Sequence, residues 1–275
     1  MGDDMIKLAI FDLDGTLLRR DKTLSKITIE AVKALKRSGV TVAVATGRNY
    51  EMVSPYLRRL GLYEGPVVTC NGAIIHELSD KRILASHAIG KEAQARMIDF
   101  AASHQYPFVI FNTTGAHTLQ NERIAVYEAW NEKHPKDRVD IHIHDGVESL
   151  KAIEANKILT AIEDKTKTEE ASKLIAPLDQ ATSFQSNEGL LDVVAPLGTK
   201  GEGARFLMDH YNVAPEETVA FGDNDNDAQM LERIPLSFAL KNATIRAKRA
   251  ASHITALEND RDGVADTLYK HILKN

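Results

Sequence analysis

The chain has 275 residues, 43% of them apolar and 27% charged, the balance of a globular protein with room for one large domain or two smaller ones. A net charge of -5 without any dense basic stripe excludes the electrostatic footprint of a nucleic-acid binder. No stretch reaches the roughly 18 apolar residues of a membrane span, the acidic start MGDDMIKLAIF lacks a basic leader region, and one cysteine, Cys70, excludes a disulfide framework and a cysteine-based zinc site. A cytoplasmic protein is expected, and Cys70 reads as a small apolar residue at a strand end.

The first element is also the most informative. Leu8, Ala9, Ile10 and Phe11 form an unbroken apolar run, as in a central parallel strand covered on both faces. It breaks into Asp12, Leu13, Asp14, Gly15 and Thr16. By themselves Asp, Gly and Thr also make ordinary solvated turns. Two carboxylates at the carboxyl end of a strand, however, sit where open α/β sheets bind ligands.

Ser25 is a capping residue for a helix carrying Ile27, Ala31, Ala34 and Leu35 on one face, and Gly39 ends it. A second strand, Val40 to Thr46, runs into Gly47 and Arg48. A further helix aligns Val53, Tyr56, Leu57 and Leu60 before Gly61, and residues 66–72 read as a third strand. Strand and helix alternate, which predicts a doubly wound, Rossmann-like parallel sheet. From about residue 80 the texture changes to shorter, alternating strands at 107–112, 139–145 and 157–164, with helical stretches near 91–105, 121–133 and 167–177. This part reads as α+β, its antiparallel sheet wet on one face. After Leu191 the α/β texture returns: a helix from Lys200 to Tyr211, then strands at 218–223 and 235–240. The expected organisation is a discontinuous α/β core, 1–82 with 190–275, and an inserted α+β cap, 83–189.

Four polar sites then fall at or just after elements of the core: Asp12 with Asp14 and Thr16; Thr46 to Arg48; Lys200; and Gly222 to Asp227. Strand ends of a doubly wound sheet converge on one crevice, so these should meet. Asp12, Asp14 and Asp223 would make a hard oxygen cage suited to Mg²⁺, while Lys200 and the Thr46 hydroxyl would hold phosphate oxygens. The string from Asp223 imitates the start of a calcium loop, but Ala228 and Ile234 stand where that loop needs Gly and Glu. GTKGEG lacks P-loop spacing, and no Gly-x-Ser-x-Gly elbow is present. His142 and His144 share a strand face, yet no third ligand converges with them in the sequence, so they read as exposed cap surface.

On these motifs the chain resembles the haloacid dehalogenase superfamily, in its Cof-type branch of phosphatases with a C2-type cap. Asp12-Leu13-Asp14-Gly15-Thr16 matches the first motif, Thr46-Gly47-Arg48 the second, Lys200-Gly201 the third, and Gly222-Asp223 through Asn226-Asp227 the fourth. Asn71-Gly72-Ala73 and Asp262-Gly263-Val264-Ala265 also fit. Leu240-Lys241-Asn242-Ala243 departs from the usual Met-Gly-Asn-Ala, and MGDDM reads as an extension of no consequence.

The resemblance implies that Asp12 is the nucleophile and Asp14 the general acid and base. It implies Mg²⁺ held by Asp12, the Asp14 carbonyl and Asp223, with Asp227 steadying its waters. Thr46, Lys200, Asn226 and the amides of Leu13 and Gly47 would cradle the phosphoryl oxygens. The expected substrate is a small phosphomonoester such as a sugar phosphate, pyridoxal phosphate or a flavin-type phosphate. A sugar phosphomutase and a non-catalytic phosphate-ligand sensor are the alternatives. Phe108, Phe111, Asn112, His142, His144 and Phe184 are the cap candidates, and neither the face they present nor the oligomeric state is set by sequence.

Overall fold

Strand β1 (Leu8–Phe11) is buried along its whole length. The computed structural model describes residues 6–187 and 189–273, so MGDDM lies outside it. Helix α1 (Lys26–Arg37) begins where Ser25 accepts the Thr28 amide, and Gly39 follows it at φ +92. Next come β2 (Thr41–Val44), α2 (Tyr50–Leu60), closed by Gly61 at φ +75, and β3 (Pro66–Thr69). The chain then reverses through Cys70, Asn71 and Gly72, all at positive φ, into β4 (Ile74–Glu77) and β5 (Ile83–Ser86).

Here one expectation is corrected. β3 touches the main sheet through a single bridge, Ala45 to Val68, and otherwise pairs antiparallel with β4, which pairs with β5. The cause is the Asn-Gly turn, whose left-handed backbone folds the strand back on itself.

The cap follows, with α3 (Lys91–Ser103), β6 (Phe108–Asn112), β7 (Gly115–Thr118), α4 (Ile124–Lys133), β8 (Ile141–Ile143) and α5 (Val147–Ala152). It continues through β9 (Lys157–Ala161), α6 (Lys165–Ile175), β10 (Thr182–Asn187) and β11 (Leu190–Val194). The strands order as β10-β11-β9-β6-β7-β8, antiparallel except for the parallel pair β7 and β8. Ile110, Ile158 and Leu191 pack with Ile98 and Phe108 on one side. The other side is not wet as expected: Val109, Phe111 and Leu159 pack with Tyr127 of α4 and with Cys70 and Ile74. The strands are apolar in both alternations, and each face has a covering layer. Because β5 pairs with β4 and β11 pairs inside the cap sheet, we propose domain junctions near His87 and Ala195 rather than at 82/83 and 189/190.

The return segment brings α7 (Lys200–Tyr211), β12 (Thr218–Gly222), α8 (Ala228–Arg233), β13 (Leu236–Ala239), α9 (Ile245–Ala250), β14 (His253–Ile254) and α10 (Gly263–Thr267). The core sheet runs β14-β13-β12-β1-β2, parallel throughout, with separate apolar clusters on its two faces. Phe11, Phe221 and Phe238 stack across three strands at 5.1 and 5.0 Å between ring centroids. β1 is flanked by β2 on one side and β12 on the other. The winding direction therefore reverses at β1, and its carboxyl end opens into the crevice where such sheets bind ligands.

The structure also supplies a third imidazole beside the predicted histidine pair. His117 Nδ1 lies 3.0 Å from His144 Nε2, and its ring stacks on His142 with centroids 4.5 Å apart. Among the described residues no metal-like cluster forms there, since His117 Nε2 is engaged by Thr114 and Asn112. Burial, then the neighbouring His142 and His144, pushes His117 down from 6.5 to about 4. The unfolded chain thus binds the proton first, and stability rests on the neutral form. We expect that contribution to be lost as pH falls from about 6.5 to about 4. Urea midpoints from pH 7.5 to 4.5 should show a steeper loss in wild type than in His117→Asn; equal slopes would refute this.

Candidate active site

Asp12 is the first residue beyond β1, and its amide donates to the Phe221 carbonyl at 2.9 Å, so the strand register fixes it beside β12. The chain then turns at Gly15, φ +82. A Cβ there would lie 2.2 Å from Asp223 Oδ2, so only glycine lets the first and fourth motifs approach this closely. Thr16 Oγ1 donates to Asp223 Oδ1 at 2.9 Å and locks the two loops. Lys200, the first residue of α7, is 1% exposed and donates to Asp12 at 2.5 Å and Asp227 at 2.6 Å. The other Asp227 oxygen accepts the amides of Asp223 and Asn224, each at 2.9 Å.

Carboxylate oxygens of Asp12, Asp223 and Asp227 gather within 4.8 Å of one another. Three carboxyls face one ammonium, so ionising all of them would leave two uncompensated negative charges. Burial pushes Asp12 up to about 7, opposed by Lys200 and reinforced by Asp227. Burial, then repulsion from Asp12 and Asp227, raises Asp223 well above the ordinary carboxylate range. For Lys200, burial opposes the ammonium, but Asp12 and Asp227 more than offset it and hold the amine protonated. All-oxygen donors with this charge deficit fit a hard divalent cation.

Asp14 is placed differently from its neighbours. Arg48 grips it with two hydrogen bonds, Nε at 2.6 Å and Nη2 at 2.8 Å, and Lys22 adds a third at 2.9 Å. Burial works to raise its carboxyl, but Arg48 and then Lys22 hold it well below the usual range. Arg48 itself lies against the rings of Tyr56 and Trp130.

A cavity of about 160 Å³ lies between this sheet edge and the cap. Of the predicted residues, Asp12, Asp14, Gly47, Lys200 and Asn226 line it. Thr46 is buried, its hydroxyl accepting the Arg48 amide at 3.2 Å, and Leu13 and Asp227 are buried as well. Among the described residues, the amides of Leu13 and Gly47 find no acceptor within the protein, leaving both free for an anion. Of the cap candidates only Phe111 lines this cavity. Phe108 is buried on the far face, Asn112 and Phe184 line other hollows, and His142 and His144 are at the sheet edge. Lys241 is exposed. Cys70 is buried, and burial pushes its thiol up to about 12, which leaves it inert.

Sequence reasoning missed the polar tie between cap and core. Lys157 of β9 pairs with Asp192 of β11 at 2.8 Å and donates to the Gly47 carbonyl at 3.0 Å. Asn71 donates to Asp192 at 2.8 Å and accepts from Asn226 at 2.8 Å. A lone charge in each of two apolar strands, KILTA and LLDVV, was the available signal, because buried charges need partners. Lys157→Met leaves Asp192 buried with the Asn71 hydrogen bond but no counter-charge, and we expect a loss of about 3 kcal/mol in urea denaturation. Adding Asp192→Leu should recover most of it; an unchanged single variant would show that the pair carries no stability.

A parallel sheet with its crevice at the β1 switch point, an aspartate at the end of β1 and an acidic loop after β12 together define a phosphoryl-transfer type of α/β hydrolase. The profile of the haloacid dehalogenase-like hydrolases matches residues 9–268, and the chain belongs to that family. It is 28% identical over 272 residues to a 5-amino-6-(5-phospho-D-ribitylamino)uracil phosphatase, YitU, of Bacillus subtilis, covering 96% of this chain and 97% of that one. It is 26% identical to a chloroplastic endoribonuclease, YBEY, of Arabidopsis thaliana, but spans only 45% of that protein's length. Among solved structures, a haloacid dehalogenase-like hydrolase from B. subtilis superposes with a TM-score of 0.84 at 26% identity, covering 96% of this chain and 99% of the other. Among the described residues, no helix is long and apolar enough to cross a membrane.

Proposed function

We propose that this hydrolase is a Mg²⁺-dependent phosphatase of small phosphomonoesters that works through an aspartyl-phosphate on Asp12. The observation that carries the reading is the placement of Asp12. It lines the cavity, its oxygen is held by Lys200, and carboxylates needing a cation surround it. Asp12, the Asp14 carbonyl and Asp223 would hold Mg²⁺, whose charge offsets repulsion between carboxylate and phosphate and stabilises the developing negative charge. Asp12 attacks phosphorus in line, and the alcohol leaves on the far side. Lys200, Asn226 and the free amides of Leu13 and Gly47 receive the phosphoryl oxygens.

Asp14 protonates the leaving alcohol and then takes a proton from the hydrolytic water. Held by Arg48, it is an ionised base. Its acid role therefore requires the guanidinium to loosen when phosphate enters, drawn to phosphate oxygens as readily as to carboxylate. The cavity of about 160 Å³ between cap and core supports a small-molecule phosphomonoester, whether sugar, pyridoxal or flavin-type. Similarity to YitU supports a polyol chain as the leaving alcohol, with the phosphate carried on one of its hydroxyls in the substrate.

The test is phosphate release from sugar, pyridoxal and flavin phosphates with Mg²⁺ or EDTA, using Asp12→Asn as the blank. Mg²⁺-dependent release by wild type alone establishes the reading. Isomerised product with phosphate retained would make it a mutase; binding without turnover would make it a sensor.

A further inference from the structure

We propose that Arg123 forms a subsite for a second anionic group, so that the preferred leaving alcohol itself carries a carboxylate or another phosphate. The proposal rests on the phosphatase reading and narrows its substrate class. Four cationic side chains line the cavity: Arg48, Arg123, Lys157 and Lys200. Three are committed to carboxylates, Lys200 to Asp12 and Asp227, Arg48 to Asp14, and Lys157 to Asp192. Among the described residues Arg123 alone of the four has no ion pair, and its Nε is buried without any hydrogen-bond partner. Only Nε is buried, the side chain as a whole being half-buried beside the Tyr127 hydroxyl, and its planar fork, with no carboxylate bound, suits a carboxylate or phosphate.

Its position is built rather than incidental. Asn121 accepts the Arg123 amide at 2.9 Å and is itself anchored to Thr118 and Leu119, so the start of α4 is pinned to the cap sheet. A second buried polar atom without a partner belongs to another residue of the cavity wall. Asp192 Oδ1 has no partner, while its other oxygen serves Asn71 and Lys157. The walls thus match a leaving alcohol with phosphate at the Asp12 end and a second anion at the Arg123 end.

The experiment compares kcat/KM for matched pairs: glycerol 3-phosphate against 3-phosphoglycerate, glucose 6-phosphate against 6-phosphogluconate, and glucose 1-phosphate against glucose 1,6-bisphosphate. The carboxylate and bisphosphate arms separate the two kinds of anion. We expect a preference of about tenfold or more for the doubly anionic member of at least one pair, the scale of one charge-assisted hydrogen bond. That ratio should collapse towards one in Arg123→Gln and survive in part in Arg123→Lys, which keeps the charge. Turnover of p-nitrophenyl phosphate by wild type with no preference in any pair, or a preference that Arg123→Gln retains, overturns the subsite. No Mg²⁺-dependent turnover of p-nitrophenyl phosphate or any pair member overturns the phosphatase reading, and the subsite with it.

Discussion

Asp12→Asn gives a folded protein that releases no phosphate, with a fall in kcat of at least about 10⁴-fold. An amide oxygen is a poor nucleophile and carries no charge for the cation. Stability should move the other way. The Asn oxygen can keep the hydrogen bond from Lys200, and Asp227 keeps that lysine paired. What disappears is a buried carboxyl whose ionisation is opposed by burial and by Asp227, enough to push it up to about 7. In EDTA the variant's thermal midpoint should equal or exceed that of wild type, because an active site held for chemistry is built at the expense of stability. Comparable turnover in the variant would place the nucleophile elsewhere. A lower midpoint would show that the carboxylate is a structural element of the loop.

Much of this was legible because each core motif sits at an abrupt change of pattern. LAIF turning into Asp12 and Asp14, and TVAFG turning into Asp223, mark strand ends, and a doubly wound sheet brings strand ends together. Ser25 and Gly61 punctuate their helices by capping chemistry that acts within a few residues, so local sequence suffices. The departures are long-range. Asn71-Gly72 is a turn-forming pair, but whether β3 stays in the parallel sheet depends on its pairing with β4 beyond that turn. The cap sheet's second face reads as wet only if nothing covers it, and its cover comes from α4 and from Cys70 and Ile74, distant in sequence. Arg48 and Asn71 lay inside recognised motifs, yet their contacts, with Asp14 and Asn226 across the core and with Asp192 of the cap sheet, join residues far apart in sequence. Arg123 carries no local signal at all. Its meaning comes from the other three cations being occupied.

Asp223 and Asp227 look equivalent in the sequence, and their variants should part company. Asp223 gives one oxygen to Thr16 and is only half-buried, so its second oxygen is open to a cation. Asp227 is 0% exposed and has no oxygen to spare, holding Lys200 with one and two backbone amides with the other. Asp223→Asn is therefore expected to keep its midpoint and to need at least about tenfold more Mg²⁺ for half-maximal phosphate release, since one of the carboxylates facing the cation becomes an amide. Asp227→Ala strips a buried ammonium of one partner and leaves two amides unsatisfied, a loss of about 3–5 kcal/mol, or roughly 10 °C in midpoint. Excess Mg²⁺ should restore much of the rate in the first variant and little in the second, because the second has lost the loop that positions Asp223. Thermal melts and Mg²⁺ titrations on both variants decide it. An Asp227→Ala protein with a wild-type midpoint and a shifted Mg²⁺ response would make Asp227 a direct ligand, and the division of labour between the two acids would be wrong.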